Sequence, residues 1–173
     1  MFSGRVLLPI LISLLTLAGC TTDVAHQPNA TQETIMAAPY QTDIAQLSQF
    51  INLPAQPAQA LWQVRERGVR GNAIGPTDTE LVAVLQLDQD ILQELEGQLV
   101  QQTSPTDLFV AHDFVQPWFP DSVQQVFVSD SAYPEYLKLT GVRYHPSLFA
   151  KGSLNNGYVV IADGYALIYL HSM

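Results

Sequence analysis

Gly157-Tyr158-Val159-Val160-Ile161-Ala162, then Asp163-Gly164, then Tyr165-Ala166-Leu167-Ile168-Tyr169-Leu170-His171 is the stretch that decides the fold. Two runs rich in β-branched and aromatic residues flank an Asp-Gly pair, the signature of a two-residue type I′ hairpin turn. The turn sets the register: Ala162 opposes Tyr165, Val160 opposes Leu167, and Tyr158 opposes Tyr169. Side chains alternate along each strand, so Val159, Ile161, Ala166 and Ile168 share the other face. Both faces are apolar. The hairpin is therefore expected inside a sheet, covered on both sides, and not at a solvated edge.

Outward from the hairpin, the rest of the chain supplies further strands and the helices. Thr42 to Asn52 reads as a helix, with Ile44, Leu47, Phe50 and Ile51 on one stripe and Thr42 or Asp43 as its cap. Pro54 and Pro57 end it. Ala60 to Arg67 reads as a strand with Trp62 and Val64 on one face and Gln63 and Arg65 on the other. Thr77-Asp78-Thr79-Glu80 spells a helix capping box. The run that follows it, Glu80 to Leu87, is short and β-branched and turns polar at Asp88, so a buried strand is expected there. Asp88 then caps a helix from Gln89 to about Gln102, with Ile91, Leu92, Leu95 and Leu99 as its apolar side.

Beyond Ser104-Pro105 the signals are mixed. Thr106 to Val115 fits a short helix or a strand. Pro117 and Pro120 enclose Trp118-Phe119 in a loop that cannot form a regular ladder. Val126 to Val128 reads as a short strand. Tyr133 to Thr140 reads as one or two helical turns stopped by Gly141, and Val142 to Phe149 as extended chain broken at Pro146. The fold class expected is α+β: a single domain over 41–173, an antiparallel sheet of about four to six strands, helices mainly on one face, and the C-terminal β-hairpin.

The N-terminus has a different character. Arg5 is followed by an apolar run from Val6 to Leu17, too short to span a bilayer, which takes about 20 residues. Small residues then precede Cys20, the only cysteine of the chain. This is the three-part layout of a secretory signal. Leu17-Ala18-Gly19-Cys20 resembles the lipobox of bacterial lipoproteins. The resemblance implies a signal peptide at 1–19, cleavage before Cys20, and diacylglyceryl and acyl chains on that residue. It also implies a cell-envelope address facing the periplasm. Thr21 stands where an Asp would favour the inner membrane, so the outer membrane is the implied default. Residues 20–40 are polar, aperiodic and interrupted by Pro28, and read as a lipidated tether. The globular part resembles small proteobacterial lipoproteins with a similar Pro-rich start and strand–helix unit, a likeness that carries no functional residue with it.

The chain has seven basic and 16 acidic residues, a formal charge of −9. Loss of Arg5 with the signal leaves six against 16, or −10. Such a surface repels phosphate backbones and anionic headgroups, so no nucleic-acid partner is expected. Membrane attachment is expected through the lipid on Cys20 alone. With Cys20 acylated no thiol remains for a disulfide or a nucleophile.

The chemistry-bearing motifs are sparse. Gly-x-Ser-x-Gly, His-Glu-x-x-His and the P-loop pattern are all missing from the sequence. His26 lies in the tether, and His112, His145 and His171 have no ligand spacing, so no metal and no cofactor are expected. No catalytic residue is assigned. Three features suit binding. Trp118 and Phe119 are candidate partner contacts, with Phe119 expected to lie deeper because it has no polar atom to satisfy. Arg65, Arg67 and Arg70 form a candidate anion site. Tyr158, Tyr165 and Tyr169 could line a groove. The expected function is a membrane-anchored, non-catalytic module that binds an envelope protein or component. Its alternatives are an immunity-type inhibitor or an envelope hydrolase using His112, His145 or His171. The sequence does not set the oligomeric state.

Overall fold

The computed structural model describes residues 40–67, 78–103 and 106–172. In chain order these form α1 (Ile44–Phe50), β1 (Gln59–Arg67), β2 (Asp78–Gln86), α2 (Gln89–Gln98) and β3 (Phe109–Ala111). A 3₁₀ turn at His112–Phe114 and α3 (Asp121–Gln124) follow. Then come β4 (Phe127–Ser129), β5 (Tyr136–Leu139), β6 (Arg143–Tyr144), a 3₁₀ turn at Pro146–Leu148, β7 (Asn156–Ala162) and β8 (Tyr165–His171). The lipobox, most of the tether and Arg70 lie outside the described residues. No helix among the described residues is long and apolar enough to cross a membrane.

The C-terminal hairpin is the middle of the architecture. Five strands form one antiparallel sheet in the order β1-β2-β8-β7-β6. The register within the hairpin pairs Ala162 with Tyr165, Val160 with Leu167 and Tyr158 with Tyr169. Gly164 closes the turn at φ +75°, a conformation costly for a residue with a Cβ. Both faces of β2, β7 and β8 are largely buried, which is why these three strands are apolar on both sides.

One face holds Trp62, Leu81, Ala83, Leu85, Val159, Ile168 and Leu170, packed under Leu47 and Ile51 at α1, Leu92 and Leu95 of α2, and Phe149. The opposite face holds Val82, Val84, Tyr158, Val160 and Leu167, packed under Phe119, Val123 of α3, Phe127 and Leu139. The second layer is not a helix layer. It is a three-stranded antiparallel sheet, β3-β5-β4, with α3 beside it. The longer helices, α1 and α2, thus share one face of the main sheet. The domain is α+β with its helices mainly on one side.

Local chemistry explains the element ends. Asp43 accepts a hydrogen bond from the Gln46 amide at 3.0 Å and caps α1. Asp88 stands in the cap position of α2 but its side chain makes no cap bond. Trp62 exchanges backbone hydrogen bonds with Gln41 at 2.7 and 2.9 Å, and its indole N–H donates to the Asp43 carbonyl at 3.2 Å. These bonds tie the entry to α1 onto the edge of β1.

Two expectations are corrected, and one segment left open between helix and strand is resolved. Tyr133 to Thr140 is not helical: Tyr136–Leu139 is β5, the middle strand of the second sheet. Its Tyr-Leu-Lys-Leu alternation puts Leu137 and Leu139 on one face, and pairing on both sides outweighs a weak helix signal. The ambiguous segment from Thr106 is a short strand followed by a 3₁₀ turn. Helix α2 ends at Gln98, because the following residues pair along β6: Gln102 N–H donates to the Arg143 carbonyl at 2.8 Å, and His145 N–H to the Val100 carbonyl at 2.7 Å.

Candidate functional site

Where the two sheets meet, they do not close fully. A cleft of about 340 Å³ lies between β1, β2, β7 and β8 on one side and β3, the 3₁₀ turn and Tyr136 on the other. The main sheet places its polar groups by register. Arg65 stands opposite Glu80 across β1 and β2. Val82 stands opposite Tyr169, and Tyr169 opposite Tyr158. Phe109, Val110, Ala111 and Phe114 roof the space with apolar surface.

The polar groups of the floor are unequal. The Tyr169 hydroxyl donates to Glu80 Oε1 at 2.5 Å. Glu80 is only 6% exposed, and this bond is part of what compensates a buried carboxylate next to the apolar run 81–85 of β2. Tyr158 is likewise 6% exposed, yet its hydroxyl has no hydrogen-bond partner among the described residues. Leaving a buried hydroxyl unpaired costs roughly 1–3 kcal/mol. Burial pushes the Tyr158 phenol well above its usual range, and neighbouring Tyr169 and Glu80 push the same way against an opposing pull from Arg143. At neutral pH it is a protonated donor. The rings of Tyr158 and Tyr169 lie 5.2 Å apart, and Phe114 meets Tyr169 edge-on at 5.4 Å, so both phenols are held by packing.

No family model, curated protein or solved structure matches the chain.

The structure distributes the residues singled out in the sequence unevenly. Arg65 lines the cleft, with its Nε donating to Gln63 Oε1 at 2.8 Å. Arg67 ends β1, and Arg70 is beyond the described residues, so of the basic trio Arg65 alone is placed at the cleft. Phe119 is buried at 3% exposure, as its lack of a polar atom suggested, and so cannot act as a surface contact for a partner. Trp118 is half-buried against Tyr40 at 5.4 Å and Phe119 at 4.7 Å, and its indole N–H is enclosed with no partner among the described residues. It is better described as a lid on the core than as an outward anchor.

The three histidines have separate surroundings. His112 Nε2 lies 3.1 Å from the Pro134 carbonyl. His145 is exposed beside β6. His171 ends β8, with Nδ1 3.2 Å from the Ser172 carbonyl. None of them lines the cleft, and no group of three or more His, Cys, Asp or Glu among the described residues could hold a metal.

The tyrosine groove was legible in part. Tyr158 and Tyr169 line the cleft, while Tyr165 packs at the edge of the core on that side. Glu80 was missed. Its signal was a carboxylate directly ahead of the apolar run 81–85, which the sequence offered equally as a helix-capping residue. A second hollow, about 280 Å³, lies between α2 and β7. There the Tyr144 hydroxyl already donates to Glu96 Oε1 at 2.5 Å, and burial, with help from Glu96, pushes that phenol up to about 12.

Proposed function

We propose that this protein is a lipoprotein, held at the outer membrane through Cys20 and facing the periplasm, whose domain is a non-catalytic recognition module for an envelope component. The observation that carries the recognition role is the cleft between the sheets, with an apolar aromatic roof over the paired Tyr169 and Glu80. A phenol held in its protonated form donates a hydrogen bond well and is a poor nucleophile or base at neutral pH. Paired Tyr169 and Glu80 and the rigid aromatic packing suit holding a ligand in one orientation. Leu17-Ala18-Gly19-Cys20 supports the anchor.

Two measurements test this reading. Metabolic labelling with an alkyne palmitate is expected to mark the wild type in the outer-membrane fraction and to miss Cys20→Ser; equal labelling of both removes the anchor. A photo-crosslinking residue at exposed Ala111, on the cleft, is expected to trap a discrete adduct in intact cells. The same probe at exposed Gln93, on α2, is the control. Indistinguishable products at the two positions remove the cleft as the recognition surface.

A further inference from the structure

We infer that the cleft takes an extended peptide, which adds to the second sheet as a fourth strand beside β3 and sets one bulky apolar side chain over the cleft floor. This rests on the cleft being a recognition site, as proposed above, and is independent of the lipid on Cys20.

The two sheets finish their edges differently. On the main sheet, the β1 edge is met by Gln41, which exchanges both backbone hydrogen bonds with Trp62 at 2.7 and 2.9 Å. The β6 edge is met by residues 100–102: Gln102 N–H donates to the Arg143 carbonyl at 2.8 Å, and His145 N–H to the Val100 carbonyl at 2.7 Å. On the second sheet, β3 is an edge strand, paired with β5 alone among the described residues. One bond fixes the phase of that pair. Leu139 N–H donates to the Leu108 carbonyl at 2.9 Å, so Leu108 and Val110 face β5. Phe109 and Ala111 therefore direct their N–H and C=O groups away from β5. The strand reads Phe-Val-Ala, without the charge or proline that guards many edges.

The cleft lies beside this edge. Phe109, Val110 and Ala111 border it together with Arg65, Glu80 and Val82 of the floor. Five strands make the floor sheet and three the layer above it. On its helix side β1 is covered, with Ala60 and Trp62 buried, whereas on the cleft side Gln63 and Arg65 are only half-buried. A strand added beside β3, at the usual spacing of about 4.8 Å, continues the second layer over this part of the floor. The backbone groups of Phe109 and Ala111 then supply affinity, and the cleft supplies selection, because alternate side chains of the added strand point into it. About 340 Å³ accepts one large side chain, and Val82, Leu108, Val110 and Phe114 favour an apolar one. A compact small molecule offers no row of donors and acceptors at strand spacing, so the open edge selects a peptide.

Random heptapeptides displayed on phage, selected on the unlipidated Cys20→Ser protein, test this. Enriched peptides are expected to share a central bulky apolar residue, and one of them, synthesised with both ends capped, is the probe. Its binding is expected to slow hydrogen exchange at the Phe109 and Ala111 amides about tenfold and to leave Val110, which faces β5, unchanged. Ala111 has φ −66°, the angle that proline imposes, and its N–H lies outside the β3–β5 ladder. Ala111→Pro is therefore expected to keep the fold and to weaken the peptide about tenfold. The absence of any enriched peptide, or an enriched one that leaves both amides unprotected, overturns the inference. A folded Ala111→Pro that binds as tightly as its parent also overturns it. So does slow exchange at both amides before peptide is added: if dilution relieves it, a second copy holds the edge, and if not, another segment of this chain does. Should these tests fail while the crosslinker at Ala111 still traps its adduct in cells, the recognition reading stands and the ligand is not a strand; should the adduct fail as well, the cleft is not the site.

Discussion

Tyr158 and Tyr169 face each other across one hairpin and meet different fates: one phenol has Glu80, the other has no partner among the described residues. Tyr158→Phe removes an unpaired hydroxyl and little else, so it is expected to raise unfolding stability by up to about 1 kcal/mol, measured by urea denaturation. A drop of that size would mean the hydroxyl is served within the fold. Trp118 gives the opposite case. Its indole rests on Tyr40 and Phe119, so Trp118→Ala is expected to cost about 2–4 kcal/mol, near the range of a truncated core aromatic. A loss under about 1 kcal/mol would return it to the surface as a partner contact. Tyr144 makes a pH prediction. Its folded phenol titrates near 12 against an ordinary value of 10.0, so above pH 10 the unfolded chain sheds a proton that the folded chain keeps. The stability it contributes is complete below about 10 and is lost as pH rises toward 12. Between pH 9 and 11.5 the wild-type denaturation midpoint should fall more than that of Tyr144→Phe.

At the scale of elements, the hairpin shows two glycines with different duties. Gly164 has φ +75° and open space where a Cβ would go, so only backbone strain opposes Gly164→Ala, about 1–2 kcal/mol. Gly157 has φ +130°, and a Cβ there would lie 1.9 Å from the Tyr169 carbonyl oxygen. Gly157→Ala therefore adds a backbone clash to the strain and is expected to cost more than about 3 kcal/mol or to spread the β7–β8 ladder. Hydrogen exchange on the β8 amides checks it, and equal stability of the two variants would contradict the close approach. Other elements differed in how plainly the sequence announced them. The Asp-Gly turn and the stripe of Ile44, Leu47 and Ile51 carry their own geometry, because turn chemistry and helical period are local. Tyr136–Leu139 is four residues long, and four residues have no period strong enough to separate strand from helical turn. Its state comes from its neighbours on both sides.

At the scale of the whole molecule, one sheet serves two cores. Leu47 is fully buried on the helix side and Val123 fully buried on the side of the second sheet. Because β2, β7 and β8 present residues to both, the layers should unfold together. Leu47→Ala and Val123→Ala are each expected to cost about 2–5 kcal/mol and to shift a single transition seen alike by near- and far-ultraviolet circular dichroism. Separate midpoints would show two independent layers. The sequence by itself determined what local chemistry can determine: the hairpin and its register, the strands beside it, the helices with capped and periodic faces, and the fold class. It marked Tyr158, Tyr169 and Arg65 as residues to watch, since each sits on a face that alternation predicts. The tertiary structure alone decided that the far layer is a second sheet, that Trp118 leans inward, and that Arg65, Glu80 and two tyrosines line one cleft. Those depend on contacts between strands far apart in the chain, such as Glu80 with Tyr169, and no periodicity within a segment encodes which distant segment will lie against it.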